Sequence, residues 1–159
     1  MKGDKKIIAH LNVVLKNELT AVNQYFLHSR LLEDWGATKM AAHEYKESIE
    51  EMHHADEVIK RIIFLEGMPN LQSLGKINIG ENIVEILKAD LALEEEAIPA
   101  LKEGIKDCED LQDYVTRDIL LKILADEEDH VDTIETQLHM IETQGLENYI
   151  QMQSEADAG

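Results

Sequence analysis

The sequence predicts an all-α chain: a four-helix bundle with one long crossover and a short fifth helix at its C-terminal end. Three observations point there. Apolar residues recur at helical spacing over four long stretches. Aromatics make up only 4% of a chain rich in Ala, Leu, Glu and Lys, a balance that favours helix over sheet. One of the three connections between the long stretches is far longer than the other two.

The first helix is predicted over about 4–35, with Gly36 in the usual position just past a helix end. The second runs over about 39–66, with Thr38 as its N-cap. The third covers about 81–111 and the fourth about 112–144, stopping at Gly145. The short fifth is predicted over about 146–154. Pro99 falls inside the third helix, where proline removes a hydrogen bond and crowds the preceding turn. A kink is expected there, not an end, because Leu101 and Ile105 continue the pattern. Two connections are short and make antiparallel hairpins of the first pair and the last pair. The third, Gly67 to Gly80, holds Pro69, Asn70 and Gly75 and reads as a loop. The second helix is roughly 42 Å long at ~1.5 Å per residue. The loop, fully extended, reaches roughly 46–50 Å, enough to run the length of the bundle. Residues 1–159 are expected to form one domain.

With 44% hydrophobic and 30% charged residues, the composition is that of a globular chain. A net charge of −18 repels nucleic acid and anionic membrane surfaces and suits cations, although acidity alone explains no more than solubility. No stretch is long enough to span a membrane. Cys108 is the only cysteine, and the N-terminus lacks the apolar run of a secretory leader. A reducing cytoplasm is the expected compartment.

The chemistry lies in four carboxylates placed where leucines belong. On a helical wheel, Glu18 shares the face of Ile7, Leu11, Val14, Val22 and Tyr25. Glu94 sits with Ile83, Leu87, Ile98, Leu101 and Ile105, and Glu127 with Leu120, Leu124, Val131, Ile134 and Leu138. Glu51 lies towards one edge of its stripe, near Val58 and Ile62. One such glutamate can find a local partner, but four facing one another repel and stay protonated unless cations bind. No Lys or Arg shares these faces. Glu51-x-x-His54 and Glu127-x-x-His130 each place a carboxylate and an imidazole on adjacent turns. A rival pair, Glu50 and His53, fails because Glu50 lies outside the apolar arc. Four glutamates balance two divalent ions, and mixed carboxylate and imidazole donors suit iron or manganese, with zinc also admissible. This is the ligand pattern of ferritin-like di-metal bundles.

The sequence also resembles the bacterioferritins over nearly its whole length. The resemblance lies in Met1-Lys-Gly-Asp, in the segment from Asn17 to His28 around Glu18, and in Glu47-Ser-Ile-Glu-Glu-Met-His-His-Ala-Asp. It continues in Phe64-Leu-Glu-Gly-Met-Pro-Asn-Leu-Gln, Asp126-Glu-Glu-Asp-His and Gly145-Leu-Glu-Asn-Tyr. It implies a ferritin-like bundle, a cage of twenty-four subunits assembled from two-fold dimers, and storage of iron as a ferric mineral. It implies ferroxidase chemistry with O2 or H2O2 on two irons per subunit. Glu51 and Glu127 would bridge them, Glu18 and His54 would complete one shell, and Glu94 and His130 the other. It implies a b-type haem shared by two subunits through Met52, and a small ferredoxin as electron donor for iron release. The wheel places Met52 in an apolar arc with Tyr45, Ile49 and Ile59, where methionine is ordinarily packing. Lys46 and Glu50 stand where the family commonly has the histidine and aspartate of an inner-surface iron site, and His53 stands where it often has lysine.

Three further residues are candidates for supporting the centre. Tyr25 is expected to hydrogen-bond a ligand carboxylate or supply an electron, or to be a plain core tyrosine. Asp90 and Asp126 are candidates to accept the free ring N–H of the metal histidines, or else solvated surface carboxylates. His10, His28, His43 and His139 read as ordinary surface residues. Glu44, Glu47, Glu50 and Glu57 read as a solvated face that could line an interior cavity.

Overall fold

The computed structural model describes residues 1–154. It contains α1 (Lys5–Asp34), α2 (Thr38–Phe64), α3 (Ile83–Asp110), α4 (Tyr114–Gln144) and α5 (Leu146–Ser154), with no strand among the described residues. This is the all-α, ferritin-like bundle, α1 pairing with α2, α3 with α4, and the two pairs joined by α1–α3 and α2–α4 packing. Helix α3 continues through Pro99.

Several helix ends differ from the sequence expectation, each for a local reason. Thr38 is the first residue of α2 rather than its cap, and the cap position, Ala37, contributes no side-chain bond. Helix α2 stops at Phe64 because Glu66 is left-handed (φ 64°), and α4 starts at Tyr114 because Gln112 is left-handed (φ 59°). Gly36 does the same after α1 (φ 87°). In all three the next N–H reaches back to a carbonyl of the last turn: Ala37 to Leu32, Gly67 to Ile62, Asp113 to Cys108. That six-residue closure is usually signalled by glycine. Only Gly36 carried the signal in the sequence.

The start of α4 is fixed by Asp113, whose carboxylate accepts from the Thr116 N–H at 3.0 Å and from Arg61 Nη2 of α2 at 3.0 Å. Burial pushes this carboxyl up, but the Thr116 bonds and the Arg61 charge outweigh it and hold it below its ordinary value. Asp113→Ala is therefore expected to cost about 1–2 kcal/mol. A depressed carboxyl stabilises above its unfolded value and loses that contribution as pH falls. Urea denaturation at pH 7 and at pH 3 checks both: the gap between variant and parent should shrink at the lower pH.

The long crossover is held against one stripe of α1. Asn70 N–H donates to Asn12, Gly75 N–H to Thr20, Asn78 N–H to Gln24 and Gly80 N–H to His28. These partners lie four or eight residues apart, so the loop runs along the helix as its length allowed. Gly80 is obligatory, since a Cβ there would fall 2.4 Å from the Ile86 backbone nitrogen.

Packing divides the interior in two. One apolar cluster joins Ile7, Leu11 and Val14 to Val58, Ile62, Leu101, Leu120 and Ile123. The other joins Leu32, Met40, Ile83, Leu87 and Ile134, and is closed by Tyr149 of α5. On every long helix the glutamate of interest falls between its contributions to the two clusters. The bundle thus carries one polar layer between two apolar ones.

Candidate metal centre

That layer brings all six sequence-predicted ligands together. Glu18, Glu51, Glu94 and Glu127 are each 1–2% exposed, His54 3% and His130 5%. They fall into two groups: Glu18, Glu51, His54 and Glu127, and Glu51, Glu94, Glu127 and His130. Within each group one donor atom per residue lies within 4.8 Å of all the others. Glu51 and Glu127 belong to both groups, so they stand between two potential ions. His54 Nδ1 is 3.3 Å from Glu18, 3.5 Å from Glu51 and 3.2 Å from Glu127. His130 Nδ1 is 3.1 Å from Glu51 and 3.6 Å from both Glu94 and Glu127.

Electrostatics supports a cation-binding reading. Burial, then the Glu51 charge, drives the Glu18 carboxyl well above its ordinary value. Burial, then a hydrogen bond with Glu127, pushes Glu94 up to about 8. Burial would raise Glu51 as well, but bonds from Glu18, His130 and His54 hold it low. Burial disfavours charge on His54 and His130, yet the carboxylates around them, Glu127 foremost, keep both imidazoles protonated well above the usual histidine range. The layer therefore retains protons where cations would serve. Glu94 Oε2 is buried without a hydrogen-bond partner, and Glu51 Oε1 and Glu127 Oε1 have as neighbours only the imidazoles that would give up their protons to a metal. No Lys or Arg pairs with the four glutamates among the described residues. Buried polar atoms left this way fit a pair of metal ions of the class that takes oxygen and imidazole donors.

The outer nitrogens are also engaged. His54 Nε2 lies 2.7 Å from Asp126 Oδ2. His130 Nε2 lies against Glu47, with Glu50 at 3.4 Å. Tyr25 OH donates to Glu94. Each Nδ1 is thus left facing the centre, the arrangement that fixes tautomer and ring orientation in metal sites. Asp126→Ala is expected to weaken binding of the first metal by about tenfold, read by competition against a metal-sensitive dye.

Three expectations need correction: the partner of Asp90, the solvation of the acidic face and the exposure of two histidines. Asp90 does not reach a metal histidine; it bonds Gln24 and His28, both at 2.9 Å. Glu47, read as part of a solvated face, takes that place beside His130. His28 is not a surface residue but fully buried, and His10 is half-buried against Asp107. His43 and His139 are exposed. Of the acidic run, Glu44 is buried, while Glu47, Glu50 and Glu57 are half-buried. Met52 is 50% exposed, and on the same side of α2 lies Tyr45, which packs against Phe26 of α1. His53 is exposed and takes no part in the centre.

The family model for the ferritin-like domain matches residues 8–143. The bacterioferritin of Brucella melitensis is 52% identical over 152 residues, covering 96% of this chain and 94% of that one. Those of Rhodobacter capsulatus and Mycobacterium bovis are 48% and 46% identical, each over 94% of this chain and over 92% and 94% of theirs. The chain belongs to the bacterioferritins. As a bacterioferritin it carries its whole candidate centre inside the matched segment, from Glu18 to His130. No helix among the described residues is long and apolar enough to cross a membrane.

Proposed function

We propose that this chain stores and detoxifies iron, oxidising Fe2+ at the Glu18–Glu51–His54–Glu94–Glu127–His130 centre and passing the product to a mineral inside a cage. Family membership supports iron storage as the general activity. The observation that carries the finer reading is the sharing of Glu51 and Glu127 between two donor groups. Two Fe2+ ions held side by side can each give up one electron at the same moment. The electron pair, with two protons, converts O2 to H2O2, or H2O2 to two waters.

The residues have distinct tasks. Glu51 and Glu127 hold the ions as neighbours, and Glu18 with His54 and Glu94 with His130 close the two outer sides. Asp126 and Glu47 orient the imidazoles, and Tyr25 orients Glu94. The imidazoles and the raised glutamates would have to shed their protons for metal to bind, so loading the centre would release protons to solvent. The apolar layers on either side keep bulk water out.

Met52, an exposed thioether on an apolar side of the α1–α2 hairpin, would hold a b-type haem shared with a second copy, and the haem would supply electron transfer towards the mineral. A cage of such dimers, a cytoplasmic setting and a small ferredoxin that feeds electrons through the haem complete the proposal. A rubrerythrin-like peroxidase is the rival within the same site chemistry; the likeness to bacterioferritins over 94–96% of this chain favours iron storage over it.

Anaerobic Fe2+ titration of the metal-free protein, followed by one pulse of oxygen, tests the centre. Saturation near two irons per chain with rapid oxidation is expected. Saturation near one, or oxidation no faster than in buffer, sinks the paired-ion reading.

A further inference from the structure

Beside the paired centre lies a second group of buried donors that the chemistry above does not use. Asp90 is fully buried between α1, the crossover and α3, and Glu44 of α2 is 5% exposed. Together with His28 they offer donor atoms within 4.8 Å of one another. The hydrogen bonds decide which of these atoms are free. The Gly80 N–H donates to His28 Nε2 at 3.1 Å, so the ring proton sits on Nδ1 and is donated to Asp90 Oδ1 at 2.9 Å. Gln24 Nε2 donates to the same oxygen at 2.9 Å. His28 is thus a neutral positioning residue with both nitrogens occupied, not a ligand. Asp90 Oδ2 and Glu44 Oε2 are left buried with no N–H or O–H donor from any other residue.

These residues line a cavity of about 250 Å³ that reaches from His43 and Gln153 at its solvent side to Tyr25 and His130 at its inner end. A water molecule occupies roughly 30 Å³ of liquid, so the cavity holds a cation together with several of its waters. Two carboxyl groups this close and this deep need either a shared proton or a positive ion. No Lys or Arg lines the cavity.

We propose that Glu44 and Asp90 form a third cation site, distinct from the paired centre, that holds one partly hydrated divalent ion. The donors are all carboxylate oxygens, so the site suits hard ions such as Fe2+, Mn2+ or Mg2+ over thiophilic ones. Glu47, which lines the same cavity and touches His130, links it to the pair. An ion held there waits beside the centre without belonging to it. The site does not depend on the pair being a ferroxidase.

Crystals of the full protein soaked in graded Mn2+, with anomalous scattering recorded, test the site. Density between Glu44 and Asp90 is expected in addition to density at the pair. Glu44→Gln should weaken Mn2+ at this position tenfold or more and leave the pair occupied, while Glu44→Asp should retain it. The proposal is overturned if the wild-type protein shows no density there at Mn2+ concentrations that fill the pair, which would mean the two carboxyls share a proton. It is equally overturned if the density survives unchanged in Glu44→Gln. Failure of the pair would be read at different positions in the same maps.

Discussion

Glu127→Ala is expected to slow rapid Fe2+ oxidation by on the order of 100-fold or more, because residues that merely orient a metal ligand already cost about 10–100-fold when removed. Glu127 is a donor in both groups and sits within 3.6 Å of both Nδ1 atoms, so its loss opens both ion positions at once. The outer residues Glu18 and Glu94 each serve one group, and their alanine variants should keep one tight ion while losing the paired reaction. The haem binding proposed at Met52 should survive in all three, since Met52 lies on the exposed side of α2, away from the buried layer. Glu128→Ala, one residue along α4 and exposed, serves as the control with unchanged kinetics. Stopped-flow absorbance after mixing with aerobic Fe2+ reads the rates. Oxidation at the parent rate in Glu127→Ala would remove the ferroxidase assignment.

What the sequence could and could not show follows from where each kind of information resides. Glu18, Glu94 and Glu127 were legible because a carboxylate at the centre of an apolar stripe contradicts its own helix, and periodicity detects the contradiction. His54 and His130 were legible through their three-residue spacing from a glutamate. The division into two apolar clusters was implicit in the same wheels, since each glutamate interrupts its stripe part-way along. The burial of His28 was not legible. It depends on a crossover whose path along α1 is set by backbone N–H groups, which carry no side-chain signature. For the same reason neither reading of Asp90, partner of a metal histidine or surface carboxylate, was right: its partners, Gln24 and His28, lie on another helix, and nothing in the local pattern of α3 announces them. Glu47 was misread because an acidic residue at the edge of a polar face is solvated in a lone helix and becomes half-buried only when α4 brings His130 against it. The ends of α2 and the start of α4 were missed because Glu66 and Gln112 adopt the left-handed conformation that glycine usually signals.

The polar layer also sets how stability responds to pH and metal, and the two responses should have opposite sign. Glu94 titrates near 8 in the folded, metal-free chain against an ordinary value of 4.5, and Glu18 is raised too. A raised carboxyl means that the folded state binds the extra proton between those values, so stability falls as pH climbs from about 4.5 towards 8. His54 and His130 act in the same direction: their raised values give stability that is complete below 6.5 and declines above it. The depressed Glu51 changes stability only below about 4.5 and adds no slope between pH 6 and pH 8. Metal-free protein should therefore melt at a higher temperature at pH 6 than at pH 8. Metal binding needs those same groups deprotonated, so its stabilisation grows with pH. Zn2+, which fits the donors without redox chemistry, should add about 4 kcal/mol at pH 8 when present at about 1,000 times its dissociation constant there, the same concentration being used at pH 6. For a chain of this size that is a rise of roughly 8–16 °C. The rise should be largest at pH 8, where the metal-free layer is least stable. Differential scanning calorimetry of the metal-free and Zn2+-loaded protein at both pH values reads all four numbers. A metal-induced rise that is equal at the two values, or larger at pH 6, would mean that the ions bind somewhere other than among these protonated glutamates and histidines.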